Sequence, residues 1–372
     1  MKKLAVLQLV LWLADGSLPG AEPLKPIPAA PVPALDALFQ RTNGWIGADG
    51  NYSVALTPAR TLWFFSDTWI GNVVNSRRTN VALINNSVGV QTGHGAEATV
   101  EFAHGRKPDG KPAAWLVPAD GHGWFWPVGA AKVNGQVNIL LWQMEKAGDA
   151  ASAFGFRFAG VWLGVIANPH DAPAAWRVTQ TKLPFTELSD ARHLIFGAAV
   201  LRDGERIYIY GTDQRPKERL GTKQMVVARV DANAMADFSA WRFFHVGEWV
   251  ADFREATPLA RGMASEYSVT HHAALGGYVS VSSGNFLSPD IVMRTAPQPW
   301  GPWSEPAVVF RCPEAAWSKD IFCYSAKAHA ALSGGNELVI TYAANSHSLA
   351  QVIGDARLYW PRFVRVSVQG SR

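Results

Sequence analysis

The sequence predicts an all-β protein, a five-bladed β-propeller with four-stranded antiparallel blades. Three observations carry that expectation. Aromatic residues make up 11% of the 372 residues and turn formers are abundant (33 Gly, 23 Pro), while only 17% are charged; such a chain turns often and stacks apolar faces. An apolar strand, a short turn and a second apolar strand recur five times at intervals of about 57 to 74 residues, as blades do. No long stretch of helical periodicity interrupts them. Two packed β-sandwich domains would share this composition, but no linker-like stretch divides the chain after Pro33.

Taken in order, the chain opens with Met1-Lys2-Lys3 and the apolar run Leu4 to Leu13, the pattern of a secretory signal peptide over residues 1–21. Cleavage is expected between Ser17 and Glu22. The run is too short to cross a bilayer. Five prolines between Pro23 and Pro33 make residues 22–34 an extended linker, with the folded domain spanning residues 35–372. A secreted or periplasmic protein is expected. In that oxidising setting Cys312 and Cys323 are expected to form a disulfide, two buried free thiols being the alternative.

The first hairpin organises the rest. Its strands are Val54 to Leu56 and Leu62 to Phe65, and Thr57-Pro58-Ala59-Arg60 is its turn. A turn centred between Pro58 and Ala59 sets Asp49 nearly opposite Asp67, with Cβ atoms roughly 4.5–8 Å apart. Two carboxylates that close, flanked by Trp45, Tyr52 and Trp69, suit acid–base or nucleophilic cleavage of a sugar chain. A turn cap and a surface ion pair are the structural alternative. Later hairpins turn at Asn134-Gly135, Asp203-Gly204, Gly276-Gly277 and Ser333-Gly334-Gly335. The last two also agree in sequence: Tyr267-Ser268-Val269-Thr270-His271-His272 aligns with Tyr324-Ser325-Ala326-Lys327-Ala328-His329. Further strands are expected at Val81 to Ile84, Phe156 to Ile166, Met225 to Val230, Ile291 to Arg294 and Phe363 to Val368.

With the first strand of each hairpin innermost, the residues just before them converge on one mouth of a channel. Those residues are Asp49, Trp124, Trp126, His193, Glu266 and Tyr324. The aromatic side chains there would stack on sugar faces, and Glu266 would act as a third acid or accept from hydroxyls; packing between blades is the alternative for the aromatics. His271, His272 and His329 lack zinc-enzyme spacing, so no metal site is assigned. His272 and His329 occupy equivalent repeat positions, which favours a shared structural role, with a channel cation held by histidine and water as the other reading. No nucleophile elbow, phosphate loop or dinucleotide fingerprint is present, and no cofactor is expected. The net charge is +4, yet the longest basic clusters are Arg77-Arg78 and Lys217 to Arg219, too short for a nucleic-acid footprint. A glycan is the expected partner, and the protein is expected to be a monomer.

Several motifs add a resemblance. They are Gly44-Trp45, Asp49-Gly50-Asn51-Tyr52-Ser53-Val54, Leu62-Trp63-Phe64-Phe65-Ser66-Asp67-Thr68, Tyr208-Ile209-Tyr210-Gly211-Thr212 and Trp300-Gly301-Pro302-Trp303-Ser304. From about Gly44 to Val368 the chain resembles the secreted five-bladed propellers catalogued as a domain of unknown function. Characterised relatives in that group are endo-D-arabinanases, glycoside hydrolases that cut D-arabinofuranose polymers. The resemblance implies that Asp49 and Asp67 are the catalytic carboxylates. It departs at Ser66, where relatives usually have glycine, and at Val128-Gly129-Ala130, where they tend to carry Gly-Asp-Gly. The expected function is therefore a secreted glycoside hydrolase acting on a furanoside-containing polysaccharide, D-arabinan being one candidate. In a double-displacement route Asp49 is expected to be the nucleophile and Asp67 the acid/base. A glycan-binding propeller without catalysis is the alternative, and a partner-binding scaffold a third class.

Overall fold

A computed structural model describes residues 28–148, 155–216, 223–285 and 287–368. The expected signal peptide and most of the linker lie outside those residues. Within them the protein is all-β: the α-helices are Pro33–Phe39 and Leu349–Gly354, joined by short 3₁₀ turns.

All five expected hairpins form, and each opens a sheet of antiparallel strands. The first sheet orders Tyr52–Thr57, Arg60–Phe65, Ser87–Thr92 and Thr99–Ala103. The second orders Trp124–Val133, Gln136–Lys146, Phe156–Ile166 and Val178–Lys182. The fourth comprises Tyr267–His272, Gly277–Ser283, Asp290–Ala296 and Ala307–Arg311. In the fifth, Ile321–Ala328, Glu337–Ser346 and Pro361–Ser367 are completed by Ala29–Pro31 from the other end of the chain.

The third sheet departs from four strands. Beyond His193–Asp203, Arg206–Gln214, Gln224–Asp231 and Arg242–His245 it adds Glu248–Val250 and two short edge pieces, making seven. Val246 and Gly247 both take positive φ (45° and 90°), which closes a tight hairpin of the kind usually signalled by Asn-Gly. Valine masks that signal. A separate three-stranded sheet, Asn43–Ala48, Thr68–Val74 and Arg77–Ile84, extends the first hairpin beyond the aspartates. The expected strand at Val81 to Ile84 therefore belongs to this extension, and Ser87–Thr92 takes its place in the first sheet.

The linker boundary also shifts. Ala29, Ala30 and Pro31 pair with Val366, Arg365 and Val364, so the folded body begins before residue 35. Proline and its predecessor are held extended, which suits an edge strand that needs few donors. The following helix has proline in its first turn and buries Leu35 and Phe39, one turn apart. Phe39 sits among Trp45, Trp63, Phe65 and Phe363, and the Asp36 carboxylate accepts from the Phe363 amide at 2.7 Å. The first and last described segments are thus held to one sheet.

The first strands pack one on the next: the second sheet's against those of the first and third, the third's against the fourth's, and the fourth's against the fifth's. Between fifth and first, His329 Nδ1 and Ser53 Oγ are 2.7 Å apart. Segments of all five line one cavity of about 460 Å³. His329 is buried and also meets Thr341 Oγ1 at 2.7 Å, while buried His272 meets the Glu337 carbonyl. The expected disulfide is not formed. Cys312 and Cys323 are free thiols buried in the apolar cluster between the fourth and fifth sheets. The Cys323 thiol hydrogen-bonded to Cys312, together with burial, pushes the Cys312 thiol far up and keeps it protonated.

Candidate active site

Asp49 and Asp67 face each other across the first hairpin. The Asp49 amide donates to the Asp67 carbonyl (3.2 Å), and the Ser66 amide donates to the Asp49 carbonyl (2.9 Å). A bulge at Leu56 takes up the one-residue offset read from the turn, giving Tyr52↔Phe64 on one side of the pair and Ala48↔Thr68 on the other. The pair therefore sits where the hairpin leaves the first sheet for its three-stranded extension. Gly50 makes the local turn (φ +80°); a Cβ there would lie 2.7 Å from Ser66 Oγ and 2.8 Å from Ser66 N.

Neutral donors, not cations, hold both carboxylates. Asp49 Oδ2 accepts from the Tyr324 hydroxyl at 2.6 Å and the Tyr359 hydroxyl at 2.9 Å. Its Oδ1 has no partner among the described residues. Asp67 Oδ1 accepts from the Trp126 indole N–H at 3.0 Å and from Asn85 Nδ2 at 3.3 Å. Asn345 Nδ2 in turn donates to the Tyr324 oxygen at 3.4 Å. Burial, the Asp67 charge and, more weakly, the Glu266 charge push Asp49 up to about 8 against the two tyrosine hydrogen bonds. Burial pushes Asp67 up to about 6 against its two N–H donors. Two like charges this close do not both ionise cheaply, so the pair holds one proton near neutral pH, and Asp49 holds it more tightly.

Tyr359 reaches the pair because a second layer carries it there. Its amide donates to the Ala344 carbonyl (2.8 Å), and its backbone takes positive φ (66°). Gly47 lets it come close, since a Cβ at that position would stand 2.4 Å from the Tyr359 carbonyl oxygen. Arg78, half of the Arg77-Arg78 cluster, is buried. It donates to the carbonyls of Ile46, Val352, Asp355 and Leu358, pinning the 352–358 segment to the extension sheet.

The other sequence candidates divide. Trp126 and Tyr324 touch the pair. Glu266 lies next to it and meets Lys327 Nζ at 3.4 Å; that buried amine also contacts Ser325 Oγ at 2.6 Å and the Tyr52 ring at 4.3 Å. Trp124 is half-buried, with an indole N–H that has no partner among the described residues. His193 is half-buried on the third sheet, where burial and then the Lys223 charge hold it below its ordinary value. Among the described residues it makes no hydrogen bond to the aspartates.

Three expected sugar-stacking residues are turned into the core. Trp45 stacks on Phe102 at 4.1 Å and donates to Ser87 Oγ. Trp69 packs edge-on against Tyr359 at 6.5 Å. Tyr52 is buried with its hydroxyl donating to the Ala198 carbonyl, as a post between the first and third sheets. Alternation does not reveal this: Trp45 and Trp69 lie an even number of residues from the aspartates on strands packed on both faces, and the register shifts between Trp45 and Ala48.

Sequence reading missed Tyr359, Asn85 and Lys327. Lys327 alone left a signal, a charge in an otherwise apolar strand at the position aligned with Thr270. Gly129 leaves no room for a side chain, since a Cβ there would come within 2.7 Å of Val200 Cγ2 and 2.8 Å of Val200 N, at a bulge in the second sheet's first strand. Serine at position 66 leaves the pair's backbone bonds intact.

A family model described as a domain of unknown function, DUF5005, matches residues 33–368. No curated protein matches the chain. Among solved structures, the fold is similar to that of a candidate hydrolase from Bacteroides ovatus ATCC 8483, with 20% identity, a TM-score of 0.73, and 91% of this chain and 90% of that one covered. Looser likenesses run to a thermostable family-43 glycoside hydrolase (14% identity, TM-score 0.49, 88% and 91% covered). Another is the GH43_1 enzyme from Xanthomonas citri complexed with xylotriose (16% identity, TM-score 0.48, 92% and 90% covered). The first shares the fold; the other two are too loose to bear on function.

Proposed function

The chain belongs to that family of unknown function, DUF5005, and from this premise we propose that it is a secreted glycoside hydrolase cleaving a furanoside-containing polysaccharide with Asp49 and Asp67. The five sheets are then the blades of a five-bladed propeller, the third enlarged. One observation carries the reading. Two opposed, partly exposed carboxylates are held by hydroxyl, indole and amide donors with no cation in ion-pair reach among the described residues. A structural pair would be neutralised by lysine or arginine; this one keeps a proton to give.

We take the retaining route, in which the two carboxyl groups stand about 5–5.5 Å apart, because the aspartates oppose each other across a single hairpin. The proton placement reverses the roles expected from sequence. Asp49, pushed up to about 8, is the acid, and Asp67, near 6, is the charged nucleophile. Asp49 protonates the glycosidic oxygen as its bond to the anomeric carbon breaks, and Asp67 bonds to that carbon. Asp49, now a carboxylate, takes a proton from water, whose oxygen attacks the same carbon and releases Asp67. Tyr324 and Tyr359 fix Asp49 through its Oδ2 and so orient the carboxyl group.

The test is to assay the purified protein on D-arabinan, L-arabinan, fructan and galactan, following product anomers by NMR. Cleavage with retention, lost by about 10²–10⁴-fold or more in Asp49→Asn and in Asp67→Asn, is the expected result. Folded variants that both keep parental activity would remove the pair from the mechanism. Glycan binding without any cleavage would make this a binding protein.

A further inference from the structure

The cavity enclosed by the five first strands is not lined by Asp49 or Asp67. It extends from Tyr52, Tyr267 and Lys327 to the far ends of the strands, where Lys132, Arg202 and His271 stand in its wall. No aspartate or glutamate lines it. Lys327 has Glu266 as counter-charge, but Glu266 lies outside the lining. Lys132 donates to the Leu56 carbonyl, and Arg202 to the carbonyls of Lys132 and Gly204. Neither meets a carboxylate at ion-pair distance among the described residues. Thr270, 7% exposed and in the same lining, has a hydroxyl with no partner among the described residues.

A buried hydroxyl without a partner is costly, and positive charges around a low-dielectric cavity focus an attractive potential for anions. One ligand class answers both features. We propose that this channel binds an oxyanion up to the size of an acidic monosaccharide, with Thr270 turning its unpartnered hydroxyl into the channel to donate to it and Lys132 and Arg202 supplying the attraction. Its negative oxygens belong either to a free phosphate-like ion or to the carboxylate of a uronic acid. The site is separate from the carboxylate pair and does not depend on the hydrolase reading.

Calorimetric titration of the purified full-length protein tests it, using sodium phosphate and sodium galacturonate in separate arms at ionic strength fixed with sodium chloride. Neutral galactose is the control. Saturable binding of at least one anion is expected, and no binding of galactose. Phosphate alone identifies a free oxyanion as the ligand, and galacturonate an acidic sugar; either supports the site. Thr270→Val keeps the side chain's shape and should weaken binding by roughly tenfold to a hundredfold, the worth of one hydrogen bond to a charged group. Arg202→Gln changes an exposed side chain, so its fold is not in question, and it should weaken binding by roughly threefold or more. Asp49→Asn should bind as the parent does, which separates this result from failure of the catalytic reading. Three outcomes overturn the proposal: no saturable binding of either anion, anion binding that Arg202→Gln leaves unchanged, or galactose binding as tightly as galacturonate.

Discussion

At the scale of single residues, one proton shared by two carboxylates sets the expected pH behaviour. Activity should rise through about pH 6 as Asp67 ionises and fall through about pH 8 as Asp49 loses its proton. A pH profile of kcat/KM on a cleaved polysaccharide checks this; a flat alkaline side would contradict Asp49 as the acid. Removing the Tyr359 hydroxyl takes away a donor that favours the charged form of Asp49. Tyr359→Phe should therefore move the alkaline limb upward while the acid limb stays. Stability carries the same sign. Asp49 is raised above its unfolded value, so its contribution is full below about pH 4 and is lost as pH rises through about 8. In Asp49→Asn the amide nitrogen can occupy the position of the unpartnered Oδ1, so the variant should gain in Tm over the parent between pH 5 and 9. Parallel melting curves across that range would count against the raised value.

At the scale of elements, the hairpin holds the pair only because the three-stranded extension and the 352–358 segment lock behind it. Gly47→Ala would place a Cβ against the Tyr359 carbonyl at a positive φ of 131° that alanine rarely adopts. It should lower stability by roughly 1–3 kcal/mol and weaken the Tyr359–Asp49 bond. Activity should then fall more than in Tyr359→Phe, and a variant with unchanged Tm and activity would show that this contact is slack. Arg78→Met leaves four carbonyls without their buried donor. Each unsatisfied group costs about 1–3 kcal/mol, so the loss should be among the largest for any single change, read by denaturant unfolding.

At the scale of the whole molecule, two elements near the start of the described chain join the fifth sheet: the three-residue strand Ala29–Pro31, laid on Pro361–Ser367, and the helix Pro33–Phe39, whose Phe39 packs on Phe363. Removing residues up to Val32 should leave a β-rich far-UV spectrum and lower Tm by roughly 2–5 °C, since the helix Pro33–Phe39 keeps its aromatic nest. Collapse of the fold on that truncation would mean that the edge strand, rather than the helix, carries the junction.

By itself the sequence determined the class of the fold, the five hairpins and the opposition of Asp49 and Asp67. Each follows from local rules: alternation, turn chemistry and register are written within some twenty residues of one another. It also placed Trp126 and Tyr324 at the pair, because repeat position is a periodic property. Only tertiary structure decided that Tyr359, 310 residues from Asp49, supplies its second hydroxyl, that Arg78 is buried, and that Trp45, Tyr52 and Trp69 face the core. It also decided that Ala29–Pro31 is a strand and that Cys312 and Cys323 stand as free thiols. Those outcomes depend on which surfaces of distant sheets meet. A strand buried on both faces gives no alternation from which to read them.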